Sequence, residues 1–355
     1  MIANFIYNLT YPYRRYKWVR NQPNIFSLTP NKVRKANRLG FTSSEYVIYN
    51  LEEKDHHDYL REFERYEFRR RIASGYRILL DNKIVFNTLV KNYVKTNEII
   101  CYKKNRTFVV LVPSINTEDD IVKYLSKGGK FVYKRIADGG GHGINFFEFK
   151  DGYCMVNGSN CNANDIITKL KESDNYLIEE YCKQSEFENM LFPHSVNTIR
   201  IVTVEKGQGE YDISYALQRI GADLKSMVDN ASGGGIFSKI DIETGCLSPA
   251  YCSYAPDLLK NDNQNIKFER HPVTGAQIAG LVIPDWENVK NVAINLHRKL
   301  SFTGIPLIAW DFALAKDGIR VIEANTTCGL GLIQREHGQR NLIMGKLFKR
   351  YKIIQ

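Results

Sequence analysis

The spacing of apolar residues changes once along this chain, from helical to short alternating runs, at about residue 99. Residues 1 to 80 predict charged helices, with starts at Ser43-Ser44-Glu45 and Leu51-Glu52-Glu53. Leu60, Phe63, Tyr66, Phe68 and Ile72 give residues 59–72 a helical stripe, and Asp81-Asn82-Lys83 opens another helix through Phe86, Leu89, Val90 and Tyr93. Beyond residue 99, strands are predicted over 107–113, 131–135, 144–149 and 176–181. Thr117-Glu118-Asp119-Asp120 opens a short helix with a capping-box pattern, and Asn164-Asp165 caps another that runs to Lys171. Together these describe a small α+β lobe. A larger lobe follows, with strands over 198–205, 211–220 and 234–240 and a helix over 286–301 carrying Val289, Val292, Ala293, Leu296 and Leu300. The fold class is therefore α+β in three parts: a mainly helical, basic region (1–80), a smaller lobe with a glycine-loop hairpin (81–183) and a larger lobe (184–355).

The most informative stretch closes this pattern. Residues 309–315 and 319–325 are two apolar runs joined by Lys316-Asp317-Gly318, which predicts a β-hairpin. Asp311 interrupts the first run; Glu323 and Asn325 lie two apart on one face of the second. Antiparallel pairing across so short a turn brings Asp311 alongside them. Three oxygen donors on a rigid sheet suit Mg²⁺, which completes its shell with water and phosphate. The alternative for the hairpin alone is a pair of solvated carboxylates at strand edges.

Composition narrows the class. At 355 residues, 43% hydrophobic and 25% charged, the chain is ordinary for a soluble globular protein. No apolar run approaches the roughly 20 residues that span a bilayer, and the first residues lack the leader-plus-apolar pattern of a signal peptide. Seven cysteines without close pairing, Cys-x-x-Cys or zinc-like spacing argue for a reducing cytoplasm and against a disulfide framework. Net charge is +10, and eight basic residues with no acidic one precede Glu45 (Arg14, Arg15, Lys17, Arg20, Lys32, Arg34, Lys35, Arg38). Tyr7, Tyr11, Tyr13, Tyr16 and Trp18 precede and interleave with these charges. Such a segment either packs on the body by its aromatic face or touches an anionic membrane surface. Nucleic acid is favoured by charge alone, because no base-reading motif accompanies it.

Several further groups carry candidate chemistry. Lys134 lies near a strand end, followed by the loop Gly139-Gly140-Gly141-His142-Gly143. Glycines let backbone N–H groups approach a phosphate, and a lysine neutralises its charge. The spacing is neither a Walker loop nor a dinucleotide fingerprint; a hairpin lid over a nucleotide triphosphate fits it better. Glu179-Glu180-Tyr181 ends a strand between the lobes, where backbone groups can meet an adenine edge, with Gln184, Glu186 and Glu188 as candidates for a ribose acid. Arg200 shares a strand face with Thr198 and Val202, Arg219 closes the next strand, and an inward arginine needs an anionic partner. Asp229-Asn230-Ala231-Ser232-Gly233-Gly234-Gly235 is a second glycine-rich loop, suited to a phosphate or an oxyanion. The set describes a phosphoryl-transfer site.

The order Lys134, glycine loop, Glu179-Glu180-Tyr181, Asp311, Glu323, Asn325 resembles the ATP-grasp superfamily of carboxylate–amine ligases. More closely, it resembles the sugar-transfer-associated ATP-grasp proteins of surface and capsular polysaccharide biosynthesis. Asp81-Asn82-Lys83, residues 195–203, 229–235, 271–275 and 283–286, and the final hairpin carry that resemblance. It implies two α+β lobes clamping ATP. It implies ATP-dependent phosphorylation of a carboxylate and attack by an amine to give an amide. By the resemblance, Lys83, Lys134 and Gly139–Gly143, including His142, hold phosphates. Glu179, Glu180 and Tyr181, with Glu188, frame the nucleoside. Asp311, Glu323 and Asn325 hold Mg²⁺, with Mn²⁺ as an alternative. Arg200, Arg219, Asn230, Gly234 and Gly235 surround the transferring group. The implied partners are an amine, such as an amino acid, and a uronic-acid-type carboxylate, small molecule or glycan, at the inner face of the membrane. A kinase that stops at the phosphorylated product and a nucleotide-binding scaffold for a glycosyltransferase complex are the competing functions.

Overall fold

The computed structural model describes residues 2–113, 115–137, 143–150, 153–224, 228–229, 233–252 and 266–354. Helices α1 (Ile2–Arg20), α2 (Pro30–Leu39), α3 (Ser43–Ile48), α4 (Glu62–Arg71), α5 (Arg77–Asp81) and α6 (Lys83–Val90) come first. Thr42 and Glu45 start α3 with a reciprocal capping box, the Glu45 N–H donating to Thr42 Oγ1 at 3.1 Å and the Thr42 N–H to Glu45 Oε2 at 2.7 Å. No helix begins at Leu51-Glu52-Glu53. Asn50 turns to φ +52° and the Leu51 N–H reaches back to the Tyr46 carbonyl, so the chain leaves α3 in turns. The inner face of α1 packs on α4: the Tyr11 and Trp18 rings lie 5.2 and 5.8 Å from Phe63, and Arg14 Nη1 donates to the buried Glu67 carboxylate at 2.6 Å.

The first sheet holds β1 (Ile99–Lys104), β2 (Thr107–Val110), β3 (Gly129–Arg135), β4 (Asn145–Lys150), β5 (Tyr153–Val156), β6 (Ser159–Cys161) and β7 (Tyr176–Glu180) in the antiparallel order β2-β1-β7-β3-β4-β5-β6. Helices α7 (Glu118–Leu125) and α8 (Ala163–Glu172) cover one face, Ile121, Leu125, Ile166 and Leu170 meeting Ile100, Phe147, Tyr176 and Ile178. Asn162, not Asn164, caps α8, because its side chain accepts the Asp165 N–H at 3.1 Å. The β5–β6 hairpin is absent from the sequence pattern: its strands are only four and three residues long, and β6 is largely polar. Its turn residues Asn157 and Gly158, at φ +52° and +79°, have the left-handed backbone that a two-residue hairpin needs.

The second sheet holds β8 (Thr198–Gly207), β9 (Glu210–Ile220), β10 (Ile236–Ile240), β11 (Ala250–Cys252), β12 (Lys267–Phe268), β13 (Leu307–Ala315) and β14 (Gly318–Asn325), ordered β12-β11-β10-β9-β8-β13-β14. Helix α9 (Glu186–Leu191) precedes it. On one face α10 (Trp286–Lys299) buries Val289, Ala293 and Leu296 against Ile199, Ile201, Trp310 and Phe312. On the other, α11 (Leu330–Ile333) and α12 (Ile343–Arg350) cover Val202, Val204, Leu307 and Ala309. Arg200 and Asp311 share the parity of Val202 and Ala309, so this second face runs from apolar to charged along its strands.

The sequence assigned α6 to the smaller lobe. Phe86 and Val90 instead join Leu80 in the core of the second sheet, where Phe86 lies 6.4 Å from Trp310. The first turn of α6 still touches the first sheet, because the Lys83 N–H donates to the Ile136 carbonyl at 2.9 Å. The helix therefore spans the seam between the two sheets and carries Lys83 to it.

Candidate functional site

A cleft lies between the sheets. Its floor is the charged end of the second sheet. In the β13–β14 ladder Asp311 pairs directly with Glu323 and Ala309 with Asn325, so all three candidate metal donors line the cleft. A register shift after Asp311 leaves Ile322 as an extra residue on β14, and it too reaches the cleft wall. In the β8–β13 ladder Asp311 pairs with Arg200. Arg200 grips the Asp311 carboxylate with two nitrogens, Nε on Oδ1 and Nη2 on Oδ2 at 2.7 Å. Arg219, from β9, donates Nη1 to Asp311 Oδ2 at 2.9 Å and Nη2 to Asp229 Oδ1 at 3.1 Å. Thr198 donates its hydroxyl to the other Asp229 oxygen.

The electrostatics of the two central carboxyls diverge. Burial pushes Asp311 up, but Arg200 and Arg219 outweigh it and hold the group down to about 2. Glu323 is raised, first by burial and then by the Asp311 charge opposite, against weaker pulls from Lys83, Arg200 and Lys134. Two carboxyls and a carboxamide line the same cleft, and one carboxylate opposes ionisation of its neighbour. That donor set fits a hard divalent cation, whose charge removes the conflict.

The opposite wall belongs to the first sheet. Lys134 on β3 and Glu179 on β7 are both buried, with Nζ 2.5 Å from Oε1, and Asn97 Nδ2 donates to the same oxygen at 3.1 Å. Val132, Ile144, Phe146 and Tyr181 give this side of the cleft its apolar lining, with Ile322 contributed by the second sheet. Tyr181 meets Phe146 edge-on at 5.9 Å, and the Lys130 ammonium lies 4.2 Å from the Tyr181 ring centre.

Of the residues singled out by sequence, Lys83, Lys134, Glu179, Tyr181, Arg200, Arg219, Asp311, Glu323 and Asn325 line this one cleft. Glu180 does not. It points to the other side of β7, where Arg320 Nη1 comes within 3.7 Å, as strand alternation requires. The N–H groups of Glu180 and Tyr181, expected to be free for a base edge, already donate to Glu98 and Lys130 carbonyls. Glu188 is also outside the cleft. It is fully buried under β9, accepts from Gln218 Nε2 at 2.9 Å, and is pushed up to about 8 by burial, against the Gln218 and Asn197 hydrogen bonds. A side chain so placed cannot reach a ribose. Gly143, Gly234 and Gly235 flank the cleft without lining it. Gly139, Gly140, Gly141, His142 and Asn230 lie outside the described residues. Asn97, Thr198 and Thr327 line the site without having been proposed for it, and Asp229 lines it as the first residue of the second glycine-rich loop, not singled out for itself. For Asp229 a signal existed, since Arg219 required an anionic partner; the polar residues Asn97 and Thr327 carried none.

Two α+β bodies facing each other across such a cleft make up an ATP-grasp fold. Residues 63–343 match the family described as sugar-transfer associated ATP-grasp, and the chain belongs to that family. Solved structures similar to it include D-alanyl-alanine synthetase A from Vibrio cholerae O1 biovar eltor, at 13% identity and TM-score 0.42 over 77% of this chain and 64% of that one. The D-alanine–D-alanine ligase of Helicobacter pylori follows at 13% identity and TM-score 0.41, over 77% and 58%. The ATP-grasp ligase PsnB, complexed with a minimal precursor, has 12% identity and TM-score 0.38, over 80% and 63%. The chain spans less than two thirds of the length of each of these. A comparison with curated proteins found no match.

Proposed function

We propose that this protein is an ATP- and Mg²⁺-dependent carboxylate–amine ligase that works through an acyl phosphate. The observation that carries the reading is the row Glu323, Asp311, Arg200 and Arg219 on the cleft floor, faced by Lys134 on the opposite wall. A carboxylate is a poor acyl donor because its leaving group would be oxide. Transfer of the terminal phosphoryl group of ATP to a carboxylate oxygen supplies a leaving group and releases ADP. The amine nitrogen then attacks the acyl carbon, the C–O bond to phosphate breaks, the nitrogen loses a proton, and an amide and phosphate remain.

The chain's residues divide this work. Lys134 and Lys83 neutralise phosphate charge, a role we extend to the backbone N–H groups of Gly139–Gly143. Tyr181, Phe146, Ile144 and Ile322 hold the base between apolar surfaces. Asp311, Glu323 and Asn325 hold Mg²⁺, for which Mn²⁺ can substitute at the same oxygens. The bound cation supplies charge neutralisation at the transferring phosphoryl group. Arg219 and Arg200 stabilise charge on the group in flight, a role we also assign to Asn230, Gly234 and Gly235. The mixed anhydride hydrolyses readily, so exclusion of water from the cleft is part of the function.

The family's sugar-transfer description supports a finer reading: an amino acid or other amine joined to a uronic-acid-type carboxylate of a surface glycan precursor, at the cytoplasmic face of a membrane. The N-terminal helix supports the membrane part of it. Leu9, Tyr13 and Tyr16 are exposed along one stripe with Lys17 and Arg20, and no helix among the described residues is long and apolar enough to cross a bilayer. The deciding experiment is MgATP-dependent ADP release across a matrix of amines and uronic-acid sugar nucleotides, with mass spectrometry of products. ADP release that needs both partners, with a product lighter than their sum by one water, establishes the ligase. A stable phosphorylated product from one partner alone replaces it with a kinase.

A further inference from the structure

Cys154 on β5 and Cys161 on β6 are directly opposite in the ladder, with their Sγ atoms 3.0 Å apart. The Cys154 thiol also donates to the Cys161 carbonyl at 2.8 Å. Both side chains are half-buried, and the neighbouring Tyr153 is exposed, so reagents in solution reach this end of the hairpin. Among the described residues the other five cysteines have no thiol neighbour at such a distance; Cys101, Cys182, Cys252 and Cys328 are buried one by one in separate places.

We propose that Cys154 and Cys161 form a reversible dithiol–disulfide site that staples the outer edge of the first sheet. Directly opposed residues of an antiparallel pair have Cα atoms about 4.5–5.5 Å apart, inside the window of about 4.4–6.8 Å that a disulfide accepts. The two-residue turn at Asn157-Gly158 fixes that register, since any slip would part the thiols. Strand β6 has β5 as its sole neighbour in the sheet, and β5 is laddered to β4, which carries Phe146 into the cleft wall. The bond therefore adds a covalent tie to an edge that backbone hydrogen bonds and the Cys154 thiol's bond to the Cys161 carbonyl hold in the dithiol form.

The reaction is thiol–disulfide exchange with a small oxidised disulfide such as oxidised glutathione. One thiolate attacks, the glutathione S–S bond breaks, and one glutathione leaves as its thiolate. The second protein thiolate attacks the mixed disulfide and expels the other glutathione. Two protein thiols lose two protons and two electrons, and oxidised glutathione becomes two reduced molecules. Burial, reinforced by the Cys154 hydrogen bond, pushes the Cys161 thiol up to about 12, so exchange at this pair accelerates as pH rises. In a reducing compartment the dithiol persists, and the bond forms when the disulfide pool becomes more oxidising.

The test treats the full chain with oxidised glutathione, then alkylates it under denaturing conditions and counts thiols by mass spectrometry. The expected result is a fall from seven free thiols to five, no retained glutathione, a peptide cross-link between residues 154 and 161, and full reversal by dithiothreitol. Cys154→Ser should stop at a mixed disulfide or show no reaction at Cys161, with no cross-link. Hydrogen exchange over β5 and β6 should slow on oxidation of the wild type and stay unchanged in Cys154→Ser. Seven thiols retained after exhaustive treatment, a stable glutathione adduct in the wild type, or cross-links that use other cysteines would each overturn the proposal.

Discussion

Asp311 and Glu323 are direct cross-strand partners at the cleft floor, and the structure gives them opposite electrostatic fates. Two guanidiniums hold Asp311 as an anion, while Glu323 is raised by burial and by the anion it faces. Like charges directly opposite on a sheet are destabilising unless something neutralises them.

Glu323→Gln separates the metal role from the fold. A carboxyl whose folded pKa is raised stabilises fully below its unfolded value, and that stability is lost as pH rises toward the folded value. At neutral pH without metal, Glu323 is therefore a cost, and Glu323→Gln should melt at the wild-type temperature or above it. ADP formation in the same variant should fall at least ~10²-fold, because a charged donor to the cation is gone. Near-normal turnover would remove the metal assignment; a large drop in melting temperature would make Glu323 a structural residue instead.

Lys134→Ala tests the proposed phosphate contact, and it leaves Glu179 buried beside Asn97. A charge-assisted hydrogen bond is worth about 1.5–3 kcal/mol, so ATP should bind roughly 10- to 100-fold more weakly. Part of any loss in stability belongs to the orphaned Glu179. The double variant Lys134→Ala/Glu179→Gln should recover that stability without recovering affinity. Calorimetry of both variants checks this, and wild-type nucleotide affinity in Lys134→Ala would exclude the role.

How far the site was legible in sequence depended on whether a residue's partner lay nearby in the chain or across the fold. Asp311, Glu323 and Asn325 sit on one hairpin, where a short turn and strand alternation determine register, so their convergence could be read directly. The inward direction of Arg200 followed from alternation too, and so did its need for an anion, but its partner Asp311 lies on another strand and was not named by local spacing. Glu188 was misread because helix α9 is a short, polar segment whose buried face is set by β9 above it, which local spacing does not reveal. The Lys134–Glu179 pair depends on β3 and β7 being neighbours, a pairing between strands about forty residues apart. The packing of α6 on the second sheet was hidden for the same reason: periodicity shows which face is apolar, not which sheet it will meet.

Glu188 makes a prediction about pH. It is fully buried and pushed up to about 8, from an ordinary value of 4.5. Its contribution to stability is complete below that ordinary value and is lost as pH rises between the two. Glu188→Gln keeps the shape and can still accept from Gln218, but has no proton to lose. The wild type should therefore lose more melting temperature between pH 5 and pH 8 than Glu188→Gln, with catalysis little changed because the side chain is outside the cleft. Parallel pH profiles for the two proteins would show that the proton on Glu188 is not what makes stability fall.

The N-terminal helix was expected either to pack on the body or to touch a membrane, and its two faces make these compatible. Tyr11, Trp18 and Val19 face α4 and the body, whereas Leu9, Tyr13 and Tyr16, at 71%, 66% and 49% exposure, form the outer stripe with Lys17 and Arg20. Deleting the helix would confound the two roles, because it would also strip the cover from Phe63. Lys17→Glu/Arg20→Glu leaves the packed face untouched. Each basic residue near an anionic surface is worth about 1 kcal/mol, so losing two should weaken binding to phosphatidylserine vesicles at least ~10-fold. Melting temperature should stay close to that of the wild type. Trp18→Ala should do the reverse, lowering stability with a smaller effect on vesicle binding, since its ring packs against both Phe63 and Tyr66. Cosedimentation at two salt concentrations measures both variants. If the wild type fails to sediment with anionic vesicles even at low salt, the outer stripe faces some other partner and the membrane reading is withdrawn.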